Sequence, residues 1–197
     1  MEDWVTRALK RWPNVPALFG WLTLDRRGRW FIKGERITRP QIVETIGRNY
    51  AADEFGRWYF QNGPQRGYVQ LEYTPLVFWP TGSGDAVETH TGLCVLRPSA
   101  AYIDASGALL IQSEHGPGVL RDVDLDWALP RLGIAGGPIE EAQLAQALLA
   151  RSGERTDISL DLCAQSLPLT RLDFVAAPTE LHFVRDPQPH AGERYQF

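Results

Sequence analysis

Cysteine is scarce in this sequence. The 197 residues hold two, Cys94 and Cys163, 69 positions apart and without a CxxC pattern. That excludes a disulfide framework. A single bridge is arithmetically open, but two buried thiols in a reducing cytoplasm are the simpler reading. Histidine is also sparse: His90, His115, His182 and His190 are scattered without ligand spacing, which argues against zinc. Positive charge is in deficit, with a formal net charge of −4 and a pI near 5.6. With no basic stripe, a nucleic-acid partner is not expected. No apolar run approaches the ~18 residues that span a bilayer. The opening MEDWVTRALKRWP has no apolar h-region, so neither a membrane anchor nor a secretory signal is expected, and the cytoplasm is the expected location. What remains is ordinary globular composition, 44% hydrophobic and 22% charged, enough for a real core.

Tryptophan, by contrast, is plentiful. There are seven, and six of them (Trp4, Trp12, Trp21, Trp30, Trp58 and Trp79) precede residue 80, with Trp127 alone beyond. Such side chains bury large areas in cores and interfaces alike. The change of character suggests a Trp-rich α+β part over 1–90 and a part of hairpin, helix and strands over 91–197, packed as two bodies or as one unit.

Periodicity supplies the elements. Residues 2–11 read as an amphipathic helix closed by Pro13 and Pro16. TRPQIVETIGRNYA, 38–51, reads as a second, with Thr38 as N-cap, Pro40 in the first turn and an apolar stripe of Ile42, Val43, Ile46 and Tyr50. GPIEEAQLAQALLARSG, 137–153, is the clearest helix, with Pro138 near its start and Gly153 past its end. DISLDLC and TELHFV read as strands, and RDPQPHAGERYQF as a polar, frayed tail.

Three segments share Asp-x-x-Gly-x-bulky: LDRRGRWFIKG, ADEFGRWYFQNG and IDASGALLIQS, with Asp25, Asp53 and Asp104 at their heads. Their separations, 28 and 51 residues, exclude a solenoid. Asp can accept backbone N–H bonds at the start of a turn, and Gly supplies a positive φ at its end. Each copy therefore reads as a β-hairpin. Calcium loops would need further oxygen ligands and a terminal Glu that none of them has. The expected fold is α+β: antiparallel hairpins on repeated Asp-x-x-Gly-x-aromatic turns, with two or three packed helices.

Chemistry is thin. PTGSGD, 80–85, lacks the Lys-Ser/Thr and the following helix of a P-loop. Ser83 and Ser113 lack a nucleophile elbow. Asp85, His90 and Cys94 in DAVETHTGLC are the most suggestive local cluster, and His115 is a loop acid/base or a turn residue. The stretch GRWYFQNGPQR is richer. Strands over 57–61 and 67–73 would flank NGPQR, with Pro64 forcing a longer loop that displays Gln65 and Arg66. It reads either as a solvated hairpin, with Glu72 paired to Arg66 or Arg57 across the strands, or as a binding site for a small anion or peptide made by Trp58, Tyr59, Gln61, Gln65, Arg66 and Glu72. Gln70 would join that polar face.

The block from Gly20 to Phe78 resembles the N-terminal part of a family of uncharacterised proteobacterial proteins of about this length, a domain of unknown function. More distantly it is similar to a second uncharacterised bacterial family, which runs Asp-x-x-Gly-x-Trp, a helix, Asp-x-x-Gly-x-aromatic-aromatic, then a strand and x-Pro-hydrophobic-Val. The matching residues are Asp25, Gly28, Trp30, Gly34, Arg39, Val43, Asp53, Gly56, Trp58, Tyr59, Pro64, Val69, Glu72 and Pro75. The resemblance implies a cytoplasmic α+β protein with repeated β-rich motifs and a role in signalling or regulation. It carries over no catalytic residue. The expected function is thus a non-catalytic module that binds a small molecule or a protein. The alternatives are an enzyme of unknown class and a structural homodimer joined at a sheet edge; no cofactor is implied.

Overall fold

Strand formation follows the side chains that need burying. In ALFGWLTL, Phe19, Leu22 and Leu24 are buried. Their uneven spacing is absorbed by Gly20, which takes φ +70° where the register shifts between Leu18 and Leu22. A bulge there turns both halves of the strand inward. The structure, a computed structural model, describes residues 7, 11, 15–82 and 84–197. Trp4, Trp12, Ser83 and, apart from Arg7 and Arg11, the helix expected over 2–11 lie outside the described residues.

The chain divides into two compact units, residues up to Pro75 with His182–Phe197, and Leu76–Leu181. The first is built on β1 (Ala17–Leu24), β2 (Trp30–Ile32), β3 (Glu35–Arg36), β4 (Tyr50–Ala52), β5 (Trp58–Asn62) and β6 (Gln65–Leu71), with helix α1 (Pro40–Arg48) between β3 and β4. Their order in the sheet is β3-β2-β1-β6-β5-β4. β1 and β6 run parallel, with Leu22 opposite Val69 and Leu24 opposite Leu71. The second unit carries β7 (Leu76–Pro80), β8 (Val87–Thr89), β9 (Ala100–Ile103), β10 (Leu109–Ser113), β11 (Gly116–Leu120), β12 (Leu132–Ile134), β13 (Gly137–Pro138), β14 (Arg155–Leu162) and β15 (Gln165–Arg171). Its helices are α2 (Leu125–Ala128), α3 (Glu141–Leu149) and α4 (Ala177–Glu180). The path β2-β1-β6-β5-β4 of the first sheet recurs as β8-β7-β11-β10-β9 in the second, each with a parallel pair where a three-stranded meander returns to the opening hairpin. The fold is α+β and mostly β, with four α-helices among the described residues. None of the described helices is long and apolar enough to cross a membrane.

Several boundaries differ from those the sequence suggests. Arg39, not Thr38, is the N-cap of α1, and Tyr50 leaves the helix to begin β4. α3 starts at Glu141 because Gly137 and Pro138 pair with β12 instead. TELHFV is not a strand: α4 takes up its start, and Val184 makes only an isolated bridge with Arg57. The turn after β5 is two residues, Gly63 and Pro64, with Asn62 opposite Gln65. Gly63 takes φ +58°, and Pro64 sits where no ladder N–H is required, so no longer loop is needed. Residues 188–197 are not frayed: Tyr195–Gln196 form β16, which pairs with Ala17 and Leu18 of β1.

Candidate functional site

The site grows from one turn. Asp53 Oδ1 accepts the backbone N–H groups of Phe55 and Arg57, both at 3.0 Å. Asp25 does the same for Arg27 and Arg29, and Asp104 for Ser106 and Ala108. The first two turns go a step further, because an arginine follows the glycine. Arg29 and Arg57 each return Nε to the second oxygen of their own aspartate. Ala108 stands at that position in the third copy.

Arg29 stays 41% exposed, whereas Arg57 is drawn inside, with 3% of its side chain accessible. Arg57, Tyr59 and Gln61 alternate on one side of β5. Tyr68 of β6 stands opposite Tyr59, and Phe19 of β1 stacks on Tyr68 at 4.5 Å. The guanidinium lies 4.5 Å over the Tyr68 ring. Its Nη2 is 2.7 Å from Asp53 Oδ2 and donates to the Tyr68 hydroxyl at 3.0 Å. That hydroxyl in turn donates to Asp53 Oδ2 at 3.0 Å. Burial pushes the Tyr68 phenol up, so it keeps the proton it donates.

Glu193 completes the network from the far end of the chain. Arg57 donates to both of its carboxylate oxygens, Nη1 at 2.9 Å and Nη2 at 2.7 Å, and also reaches the Gln188 carbonyl at 3.0 Å. Such forked pairs are the strong form of the contact. They hold the Glu193 carboxyl at about 2 against the opposing effect of burial and raise the Arg57 guanidinium further. Because the folded value lies below the usual ~4.3 of glutamate, the pair's contribution is complete above that pH. It is lost as the pH falls towards 2. Next to Glu193, Tyr195 of β16 and Phe197 just after it have their rings 6.2 and 6.3 Å from Phe19.

The six residues singled out in the sequence fall into different places. Tyr59, Gln61 and Arg66 come together: the Arg66 guanidinium lies 4.5 Å over the Tyr59 ring and its Nε donates to Gln61 Oε1 at 3.2 Å. Gln61 is wholly buried and donates to the carbonyls of Gly63 and Gln65, stapling the turn. Gln65 donates to the Pro16 carbonyl. Trp58 packs on Tyr50 at 4.8 Å, on the other side of β5. Glu72 accepts the Arg26 N–H at 3.1 Å, while Arg57 and Arg66 have the partners above, so neither cross-strand pair to Glu72 is the arrangement seen. Gln70 reaches Asp186. Replacing Gln61 with methionine is expected to cost about 1–3 kcal/mol in urea unfolding, because a buried carbonyl and a half-buried one lose their donor. Arg66→Ala with Gln65→Ala should cost less than about 1 kcal/mol each, since both side chains are partly solvated. A larger loss for the pair would make them structural.

Sequence reasoning missed Tyr68, Phe19 and Glu193, and took Arg57 only as a cross-strand partner for Glu72. One signal was present: an arginine right after the turn glycine, four residues beyond an aspartate that can close on it. Nothing local pointed to Glu193.

A family model named DUF2944, with the description Protein of unknown function (DUF2946), matches residues 1–188. The chain belongs to the DUF2944 family. No curated protein matches it. Among solved structures it is similar to a DUF1285 family protein from Silicibacter pomeroyi DSS-3, at 18% identity and a TM-score of 0.54, over 80% of this chain and 84% of that one. A second DUF1285 family protein, from Shewanella baltica OS155, aligns at 15% identity and a TM-score of 0.37 over 52% of this chain and 85% of that one. The first likeness is one of fold.

Elsewhere in this DUF2944 chain, reactive side chains are tied to backbone. Among the described residues, no group of three or more His, Cys, Asp or Glu is placed to hold a metal ion. Cys94 and Cys163 are both free thiols, but not the two buried ones expected: Cys94 is exposed and Cys163 half-buried. Buried His90 turns Nδ1 to the Val77 N–H, Asp85 accepts from Ala164, and His115 Nε2 lies 2.9 Å from the Cys94 carbonyl. Burial and the charges of Asp85 and Glu114 push the Cys163 thiol up, away from the reactive thiolate. In the second unit a cleft of about 520 Å³ is lined by Leu129, Leu132, Ile139 and Leu144 together with Glu140 and Glu141. Its volume suits a small ligand, but its walls offer few groups that would orient one.

Proposed function

We propose that the protein is a non-catalytic binding module, working in cytoplasmic signalling or regulation, that takes an extended segment of a protein partner on its first sheet. One observation carries this reading. The face framed by Arg57 and Arg66, with Phe19, Tyr59 and Tyr68 between them, already holds such a segment, namely the chain's own residues 188–197, through a forked carboxylate contact and strand pairing to β1. Strand addition supplies main-chain affinity, and side-chain contacts supply selectivity. Tyr, Trp and Arg are the side chains that such surfaces favour. The two free thiols are at home in a reducing compartment. In this reading the repeated Asp-x-x-Gly turn is the architectural device: it holds the strand ends rigid, and its arginine becomes the recognition group where it is buried.

The test uses a labelled peptide of residues 187–197 and the protein carrying Glu193→Ala and Tyr195→Ala, which weaken its own segment. Fluorescence anisotropy should show saturable binding. A peptide with glutamine in place of its glutamate should bind about tenfold or more weakly, as loss of a charged forked contact implies. Absence of saturable binding for both peptides would sink the reading.

A further inference from the structure

Residues 188–197 cover the site's cation and, apart from the Arg57 contacts to Gln188 and Glu193, are lightly held. β16 is two residues long, and beyond it the Ala17 N–H donates to the Arg194 carbonyl. Tyr195 and Phe197 reach Phe19 yet stay 47% and 66% exposed. His190 rests on Phe55, itself half in water. The stretch just before is different. The Val184 N–H donates to the Gly56 carbonyl and the Leu71 N–H to the Arg185 carbonyl, Arg185 Nε reaches the Tyr73 carbonyl, and Phe183 and Pro187 are buried. The boundary between anchored and lightly held chain falls at Pro187-Gln188-Pro189, where two fixed φ angles make a stiff pivot.

Release of the segment does not strand a charge. When Glu193 leaves, Arg57 keeps Asp53, which two backbone N–H groups and the Tyr68 hydroxyl hold in place. The closed network has two carboxylates around one guanidinium; the open one is a neutral pair. Opening therefore escapes the large penalty of leaving a buried ion without a partner, and Glu193 returns to water.

We infer that residues 188–197 are a displaceable latch on the peptide site, an inference that rests on the binding-module reading. The partner segment that replaces it has a carboxylate two residues ahead of the first of two alternating aromatics, as Glu193, Tyr195 and Phe197 do. In an extended strand these three share one side, so the carboxylate meets Arg57 while the rings flank Phe19. Binding is an exchange. The latch leaves β1 and Arg57, the partner strand takes its place, and apparent affinity is lowered by the fraction of molecules with the latch closed.

The experiment compares the full chain with Glu193→Gln, and with Tyr195→Ser as a second variant that alters only a half-exposed ring. Hydrogen exchange is followed at the Ala17 amide and at Val69 and Leu71 in the same sheet, and the 187–197 peptide is titrated into each protein. Exchange at Ala17 should rise about tenfold in both variants with Val69 and Leu71 unchanged, and peptide affinity should rise by the same factor. An Ala17 rate that does not change, or that rises only together with Val69 and Leu71, would overturn the latch; the peptide would still bind the doubly substituted protein if the module reading holds. A latch that opens with no gain in peptide affinity would overturn the exchange, and absence of binding to every variant would take the module reading with it. A concentration-dependent dimer in sedimentation, with Ala17 protected again, would name a second copy as the occupant and overturn the partner assignment.

Discussion

Arg57→Met should lower the stability of the first unit by about 3–5 kcal/mol, the usual effect of removing one member of a buried ion pair. The side chain is 3% exposed and touches two carboxylates, a carbonyl and a phenol. Its loss leaves Asp53, 8% exposed, as an unpaired buried anion, and frees the 188–197 segment at the same time. Arg29→Met is the matched comparison. That arginine makes the same bond to its own turn aspartate, which is buried to the same 8%, but is itself 41% exposed, so water reaches the pair and its loss should cost about 1–3 kcal/mol. Urea unfolding of the two variants distinguishes burial from turn geometry. Equal losses would show that the turn, not the buried network, sets the value. Adding Asp53→Asn to Arg57→Met should recover part of the stability, because it removes the stranded charge.

The second large effect is expected at Gly56. It takes φ +76°, and a Cβ there would stand 2.6 Å from the His182 carbonyl oxygen and 3.2 Å from the Phe183 Cα. Both obstacles are backbone, so relief requires moving the chain that returns to β5, with loss of the Val184 N–H bond to the Gly56 carbonyl. Gly56→Ala should cost about 3 kcal/mol, combining the left-handed strain with displaced backbone and a broken main-chain bond. Gly107 closes the corresponding turn of the second unit at φ +83° with open space where its Cβ would be. Gly107→Ala should therefore cost only the ~1 kcal/mol of the backbone conformation. If both variants lost the same stability by thermal unfolding, the packing of His182 on the turn would be immaterial.

Legibility followed distance along the chain. The α+β class could be read from composition and periodicity, because a period of two or 3.6 expresses burial of one face. A turn at Asn62-Gly63 was visible from residue type, but its length was not: Pro64 reads as an obstacle to a strand ladder until the register shows that it stands in the loop. Gln61, Gln65 and Arg66 were picked out by their polarity. That polarity did not reveal that Gln61 is fully buried and bonded to the turn it follows. For Arg57 the sequence offers Glu72 as a cross-strand partner, because an arginine looks the same in sequence whether water, Glu72 or Glu193 satisfies it.

The sequence by itself determined the short-range features of this protein: which stretches bury a face, where glycine lets the chain turn, and which aspartates can accept backbone N–H bonds at the head of a turn. Only the tertiary structure decided how those pieces assemble. The parallel pairings of β1 with β6, β7 with β11 and β9 with β15 join strands far apart in the chain. They do so through main-chain bonds that any residue type except proline can make. The return of residues 182–197 to the first sheet is decided in the same way. A carboxylate 136 residues from Arg57 leaves no local trace, because its partner is chosen by the folded position of both groups rather than by their spacing.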